Sequence, residues 1–446
     1  AARSWRDDLV SAVIAHAGED GAARLSHVLD AFPEAYKEDF DADTGAADLT
    51  RLEMLSHQGE AVDFSFYKDP ESPGGFRIKI YRTGGPLSLS LMLPILSSFG
   101  FEVTDERPYD LEGVGTSGSE EWFIYDFGLA YSGTPAGTPT QLVAALHQAW
   151  SGRSEVDGLN ALVLAGLDHG QVTLLRAYGR YLRQAGTPNS FQTIAGALCA
   201  NPGIARQIVE LFETRFDPSL TTRDETKRAE AIIEALDDVA SLDQDRILRS
   251  YVSTILATTR TNYYRGRSYL AFKFDPQQVP DLPLPRPAYE IFVYSPDVEG
   301  VHLRFDPVAR GGLRWSDRRD DFRTEVLGLA KAQQVKNTVI VPGGAKGGFV
   351  PKGVAGPDAY VTFLRGLLDV TDNRVDGEIV PPADVVRHDS DDSYLVVAAD
   401  KGTATFSDLA NSVAAEYVFC LGDAFASGGS AGYDHKAMGI TSRGAW

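Results

Sequence analysis

Residues 335–352 read Val-Lys-Asn-Thr-Val-Ile-Val-Pro-Gly-Gly-Ala-Lys-Gly-Gly-Phe-Val-Pro-Lys, an apolar run that enters a segment of four glycines with a single lysine, Lys346, among them. Glycine lets backbone and ligand come close together and accepts positive φ without steric penalty. The pattern therefore predicts a short buried strand at 339–341, then a loop that presents the Lys346 ammonium in a tight cleft. A loop lysine can also be a plain solvated charge. Against that, Ala345, Gly347, Gly348 and Phe349 give Lys346 little polar company, and partial burial, with Lys336 close in sequence, favours the neutral amine. A lysine so poised can accept a proton near neutral pH. A phosphate cradle is the rival reading, because Gly343 and Gly348 have the spacing of a nucleotide-binding loop. It fails at the next position, where Phe349 and Val350 stand in place of Lys-Ser/Thr.

Four polar side chains fall at the ends of apolar elements: Arg310 before Gly311 and Gly312, Lys336 before the expected strand, Lys346, and Asp400 after the apolar run 394–399, itself read as a fully buried strand. Open α/β sheets bind ligands outside strand carboxyl ends, where such side chains converge. Three cations and one carboxylate suit a dianionic acid. Asp400 could instead cap a helix or pair with Lys401. His388, Asp389, Asp391 and Asp392 invite a metal reading, but they lie among loop residues without the spacing of a defined site. The expectation there is a solvated turn, and no metal.

The balance of 62 acidic against 42 basic residues, a formal charge of −20, repels polyanions and argues against nucleic acid or an anionic membrane as partner. Cys199 and Cys420 are the only cysteines and are far apart, which fits a reducing compartment, by default the cytoplasm. No run approaches the ~20 apolar residues that span a bilayer, and the start lacks a secretory pattern. The chain begins without methionine and stops at Trp446, shortly after a Gly/Ser-rich stretch, as an excised piece of something longer would.

The pattern along the chain predicts a multidomain α/β and α+β protein. Residues 1–59 read as a helical lead-in interrupted by a loop over the acidic run 38–43. Residues 60–135 form an α+β unit. Period-two alternation at 62–67 and 76–81 predicts a strand pair, Pro86 opens a helix with leucines at 87, 89, 91, 93 and 96, and two strands follow near 101–103 and 122–127. That order resembles an ACT-like, amino-acid-sensing module, and a generic ferredoxin-like fragment would give the same pattern. Residues 136–275 read as a helical region, with helical spacing carried across 249–265. Five prolines between 276 and 287 mark 276–288 as a linker, and 289–446 alternates strands and helices as an α/β substrate-binding domain.

Four motifs, RGGLRWSDRRDDFRTEVLGLAKAQQVK at 310–336, PGGAKGG at 342–348, AADKGTA at 398–404 and GDAFASGGS at 422–430, closely resemble the large bacterial NAD-dependent glutamate dehydrogenases. The ACT-like unit and the helical region fit the long amino-terminal extension of those proteins. The resemblance implies oxidative deamination of L-glutamate to 2-oxoglutarate and ammonia with NAD as hydride acceptor, in a complete protein that is a homo-oligomer. It implies that Lys346 helps activate the water that attacks the iminium intermediate and that Asp400 carries protons to and from the substrate nitrogen. Lys336 would pair the α-carboxylate, and Arg310 the distal carboxylate, beside Gly311, Gly312, Gly343 and Gly344. Smaller members of the superfamily carry lysine where this chain has Arg310; a guanidinium fork can still grip a carboxylate. No Gly-x-Gly-x-x-Gly turn of a dinucleotide-binding unit precedes Trp446, so no cofactor residue is assigned, and the chain alone is expected to bind NAD poorly and to turn over nothing measurable. The alternative is a non-enzymatic amino-acid sensor that uses the ACT-like unit.

Overall fold

The structure, a computed structural model, describes residues 4–58, 61–111, 121–133, 135–337, 343–426, 428–430, 439 and 443. The chain divides into two compact units, Ala1–Val172 and Thr173–Trp446.

The first unit opens with helices α1 (Trp5–Leu25), α2 (Glu34–Asp39) and α3 (Ala42–Ser56). Ser4 and Asp7 form a reciprocal capping box at the start of α1, and the Asp41 carboxylate accepts from the Thr44 N–H at 2.9 Å to start α3. The acidic run 38–43 is therefore not the expected loop. It closes α2 and opens α3, breaking only at Phe40 and Asp41, because carboxylates favour the first turn and cap of a helix.

Strands β1 (Val62–Lys68) and β2 (Phe76–Thr83) form the expected antiparallel pair. Helix α4 (Leu89–Ser98), β3 (Glu102–Leu111) and β4 (Trp122–Ala130) follow, and the sheet has the order β1-β2-β4-β3. Pro86 lies ahead of α4 rather than in its first turn; the buried stripe is Met92, Ile95 and Leu96, with Leu91 exposed. Alternation along β2 sends Ile78 and Ile80 to one face and Arg77, Lys79 and Tyr81 to the other, yet all are buried, because α1–α3 pack on the second face. Asp48 of α3 accepts from Lys79 Nζ at 2.6 Å and Tyr81 Oη at 2.7 Å, while Asp126 accepts from Arg77 Nε at 2.8 Å. Helix α5 (Pro139–Trp150) completes the α+β arrangement.

The second unit begins within α6 (His169–Ala185) and continues through α7 (Phe191–Ala200), α8 (Pro202–Phe216), α9 (Glu225–Leu236) and α10 (Leu242–Ala257). Helix α10 stops at Ala257, short of the expected 265. The Thr-rich segment β5 (Thr258–Thr261) is drawn into a sheet with β6 (Leu270–Phe274), where branched side chains pack better than on a helix. After β6 the proline-rich stretch 276–288 leads to β7 (Tyr289–Tyr294), its antiparallel neighbour. Those prolines do not separate two sheets. They end one strand and precede the next in the same sheet, since proline cannot donate to a ladder.

The sheet grows through β8 (Val298–Arg304), β9 (Ala309–Arg310) and β10 (Gly312–Trp315), crosses over by α11 (Phe322–Asn337) and returns as β11 (Gly343–Pro351). Next come α12 (Gly356–Asp369), a small hairpin of β12 (Asn373–Val375) and β13 (Glu378–Val380), β14 (Ala398–Ala399) and α13 (Ser407–Glu416). The main sheet has the order β14-β10-β11-β8-β7-β6-β5, with β9 also paired to β11. β10 is parallel to β11 and β14, and the rest of this path is antiparallel. The strand expected at 339–341 lies outside the described residues. Of the strand expected at 394–399 only Ala398 and Ala399 pair with β10. Leu395 and Val397 are buried, but the Val397 N–H donates to the Phe425 carbonyl at 2.8 Å and the Tyr394 carbonyl accepts from Arg304, so the backbone there has non-sheet partners.

Candidate active site

The segment 343–348 is a strand. β11 runs inside the sheet, antiparallel to β8 on one edge and parallel to β9 and β10 on the other, and none of Gly343, Gly344, Gly347 and Gly348 has positive φ. The expectation of a loop is thereby corrected. Glycine serves here for close approach. A Cβ on Gly344 would sit 2.4 Å from the Gln334 backbone nitrogen of α11, and one on Gly348 2.5 Å from Val326 Cγ2 of the same helix. Gly344, Lys346 and Gly348 share a face, so α11 lies along the side on which Lys346 projects. Asp306 crowds Gly343 in the same way.

Lys346 is buried and its Nζ lies 2.9 Å from Asp400 Oδ2. The same oxygen accepts from Arg314 Nε at 3.0 Å. Arg314 stands opposite Gly348 in the β10–β11 register, hence on the Lys346 face, and its Nη1 donates to Glu325 Oε1 at 3.0 Å. Ser316 Oγ donates to Glu325 Oε2 at 2.6 Å. The result is a line of alternating charge, Lys346, Asp400, Arg314, Glu325, drawn from β11, the turn after β14, β10 and α11. Burial alone would raise the Asp400 carboxyl, but hydrogen bonds from Lys346 and Arg314, with the Lys346 charge, hold it below the ordinary carboxylate range.

The Asp400 turn is laced to β10. The Asp400 N–H donates to Thr403 Oγ1 at 3.1 Å, Thr403 Oγ1 donates to the Leu313 carbonyl at 2.7 Å, and the Trp315 N–H donates to the Lys401 carbonyl at 3.1 Å. Gly402 takes φ of +83° at this turn. Gly311 admits β10 and β11 side by side: a Cβ there would lie 1.5 Å from the Ala345 carbonyl oxygen. Gly312 is similarly pressed by the Ala398 and Ala399 carbonyls.

The other two expected cations sit at the rim. Arg310 is exposed at the end of β9, opposite Gly344. Lys336 is exposed in the last turn of α11, with no ion pair to the described residues, two positions beyond Gln334, whose side-chain oxygen accepts from the Gly344 N–H at 2.6 Å. The structure joins Lys346 and Asp400 directly. It brings Arg310 and the end of α11 only to the neighbourhood of Gly344. Sequence reasoning missed Arg314, Glu325 and Thr403; the parity of Arg314 two residues after Gly312 was the available signal, but it acquires meaning only with the strand register.

Behind the strand, His302 of β8 pairs in register with Gly347, and its Nε2 finds no hydrogen-bond partner. Burial, aided by Arg304, pushes its imidazole down to about 3, so it is neutral. The acidic cluster after His388 is not the solvated turn expected of it. Asp389 accepts from Arg260 Nε and Lys273 Nζ, both at 2.6 Å, and Asp392 pairs with Lys273 at 2.9 Å and with Arg304. His388 Nε2 lies 3.0 Å from the Arg215 carbonyl, and Asp391 pairs with Arg387 at 2.6 Å. Buried cations compensate most of these carboxylates where a metal was considered.

Residues 231–446 match the family described as bacterial NAD-glutamate dehydrogenase, catalytic domain. Residues 61–142 match the glutamate dehydrogenase ACT3 domain, and 12–55 and 154–218 match glutamate dehydrogenase helical motifs 2 and 3. Residues 231–446 thus belong to the catalytic-domain family of the bacterial NAD-glutamate dehydrogenases. Over its whole length the chain is 50% identical to the NAD-specific glutamate dehydrogenase of Halomonas elongata, 52% to that of Pseudomonas aeruginosa and 49% to that of Mycobacterium tuberculosis. It spans 29% of the length of each. The sheet of residues 62–130 thus lies within the stretch that matches the ACT3 domain, and the Lys346–Asp400 pair within the stretch that matches the catalytic domain.

Proposed function

We propose that this chain supplies the substrate-binding and proton-handling portion of an enzyme that oxidatively deaminates L-glutamate to 2-oxoglutarate and ammonia with NAD as hydride acceptor. The observation that carries the reading is the 2.9 Å contact between Lys346 Nζ and Asp400, both partly shielded from water and both tied to one sheet. Asp400, kept ionised and exposed enough to meet a substrate, takes a proton from the substrate ammonium and returns it later. Lys346 orients and activates the water that attacks the iminium. Lys336 receives the α-carboxylate and Arg310 the distal one, with Gly311, Gly312, Gly343 and Gly344 leaving room for the substrate backbone. Gripping both ends favours glutamate over aspartate, because a shorter diacid leaves one cation unpaired.

The glycines of β11 do not fit the pyrophosphate of NAD, since Gly347 and Gly348 are held in sheet ladders on both edges, while Gly343 and Gly344 pair with β9 and the Gly344 N–H is taken by the Gln334 side chain. We assign NAD mainly to a domain beyond these residues, as the relatives extend well past the matched stretch. Among the described residues no helix is long and apolar enough to cross a membrane, and the formal charge of −20 works against a nucleic-acid partner; we take the complete protein to be a cytoplasmic homo-oligomer, as the family resemblance implies. The test is NADH formation from glutamate by the complete polypeptide, wild type against Lys346→Ala. Loss of about 10²–10⁴-fold in rate is expected, and a rate near wild type rejects the assignment.

A further inference from the structure

A cavity of about 670 Å³ opens in the unit 173–446, lined by Arg265, Arg267, Tyr269, Arg365, Glu416 and Tyr417 among others. Neither Lys346 nor Asp400 lines it. Its three guanidiniums come from separate places in the chain: Arg265 and Arg267 from the turn between β5 and β6, and Arg365 from α12. Two carboxylates face them. Asp369 is fully buried at the end of α12 and accepts from Arg265 Nη1 at 2.7 Å, Asn262 Nδ2 at 2.9 Å and Tyr417 Oη at 2.8 Å. Glu416 takes both Nε and Nη2 of Arg365 on one oxygen, at 3.2 and 2.8 Å.

The balance leaves a net positive charge. Arg267 comes no closer than 3.6 Å to Asp369 and its side chain makes no hydrogen bond to the described residues, so its fork is left to the cavity. Three arginines against two carboxylates stand out in a chain of net charge −20, whose overall field disfavours anions. A guanidinium fork matches the geometry of carboxylate and phosphate oxygens, and the cavity volume falls within the usual range for small-molecule sites. Buried Asp369 holds Arg265 in place in the absence of ligand, which lowers the cost of ordering the site.

We propose that this cavity is a binding site for a small oxyanion of two or more negative charges, a phosphate or a polycarboxylate, received by Arg267 and Arg365 with Arg265 behind them. It does not depend on the glutamate reading of the Lys346 site.

The test is calorimetric titration of the complete polypeptide at constant ionic strength, with inorganic phosphate in one arm and citrate in the other, which separates the two headgroup chemistries. Saturable binding of at least one probe is expected, weakened roughly tenfold or more by Arg267→Ala and by Arg365→Ala, and unchanged by Lys346→Ala. The Arg267 and Arg365 side chains are 41% and 40% exposed, so both variants should retain the fold, and circular dichroism checks this. No saturable binding of either probe overturns the proposal. So does affinity insensitive to both arginine substitutions, or affinity lost with Lys346→Ala, which would place the anion at the glutamate site instead.

Discussion

Two clusters of paired charge lie on opposite faces of the same sheet. On one face Lys346 and Arg314 meet Asp400 and Glu325; on the other Arg260, Lys273 and Arg304 meet Asp372, Asp389 and Asp392. The strand registers place them so, for His302 sits opposite both Gly347 and Ile291, while Lys346 sits opposite Leu303. Both clusters balance cations against carboxylates. They differ in access: the Arg260 and Asp372 side chains are 0% exposed, whereas those of Asp400 and Arg314 are 19% and 21% exposed. A sealed cluster cannot meet a substrate or exchange protons readily. What it can do is fix the chain of 371–397 against the sheet, since each partner removed leaves a buried charge behind. The half-open cluster has the same components, but an edge that a dicarboxylic acid can reach.

Exchanging the two kinds of damage tests that distinction most strongly. Lys346→Ala should lower glutamate turnover by about 10²–10⁴-fold while shifting the unfolding midpoint little, because Arg314 still pairs Asp400. Asp372→Asn should do the reverse. It deprives Arg260 of a partner at 2.8 Å where no water can replace it, and urea unfolding should show a loss of roughly 3–5 kcal/mol, with turnover per folded molecule kept. If Lys346→Ala unfolds as readily as Asp372→Asn, the contrast between the faces is wrong.

Acid should sharpen the same contrast. Burial alone would raise the Asp392 carboxyl, but the Arg304 and Lys273 charges and their hydrogen bonds bring it down to about 2 from the usual 3.8. A carboxyl whose folded pKa is depressed adds stability above the unfolded value, and that stability is lost as pH falls through the folded one. The window for Asp392 is therefore from about pH 4 down to about pH 2. The stability gap between wild type and Asp392→Asn should narrow by roughly 2 kcal/mol between pH 5 and pH 2, measured by denaturant unfolding. A gap that stays constant would mean that Asp392 is not held ionised by those two cations.

What could be read from residues alone follows the same division. Lys346, Asp400, Arg310 and Lys336 were visible because they interrupt apolar or glycine-rich runs, and the strands at 62–68, 76–83 and 289–294 because they alternate. The strand nature of 343–351 was hidden, because glycine has no side chain with which to show a face. Arg314 and Glu325 were hidden because their roles arise from the register of β10 on β11 and from the seat of α11. Asp389 and Asp392 look like loop acids until Arg260, Lys273 and Arg304 arrive from strands far away in sequence. Helical spacing at Thr258 and Asn262 was overridden by sheet pairing, which no local pattern reports.

Glycine itself gives the finest version of the comparison, since α11 contributes to one contact where a methyl group has no room and carries another glycine where it has plenty. At Gly344 the nearest atoms to a new Cβ are helix backbone, the Gln334 nitrogen at 2.4 Å and the Gln333 carbonyl carbon at 2.7 Å, which cannot rotate away. Gly344→Ala should therefore push the carboxyl-terminal turn of α11 off the strand, costing roughly 1–3 kcal/mol and raising the KM for glutamate by moving Lys336. Gly328, exposed on the same helix, has nothing within 4 Å of a Cβ, and Gly328→Ala should stabilise by roughly 0.5–1 kcal/mol through the better helix propensity of alanine. Thermal unfolding of the two variants side by side decides the matter. Equal midpoints would show that α11 does not press on β11 at Gly344, and the placement of Lys336 beside the site would lose its footing.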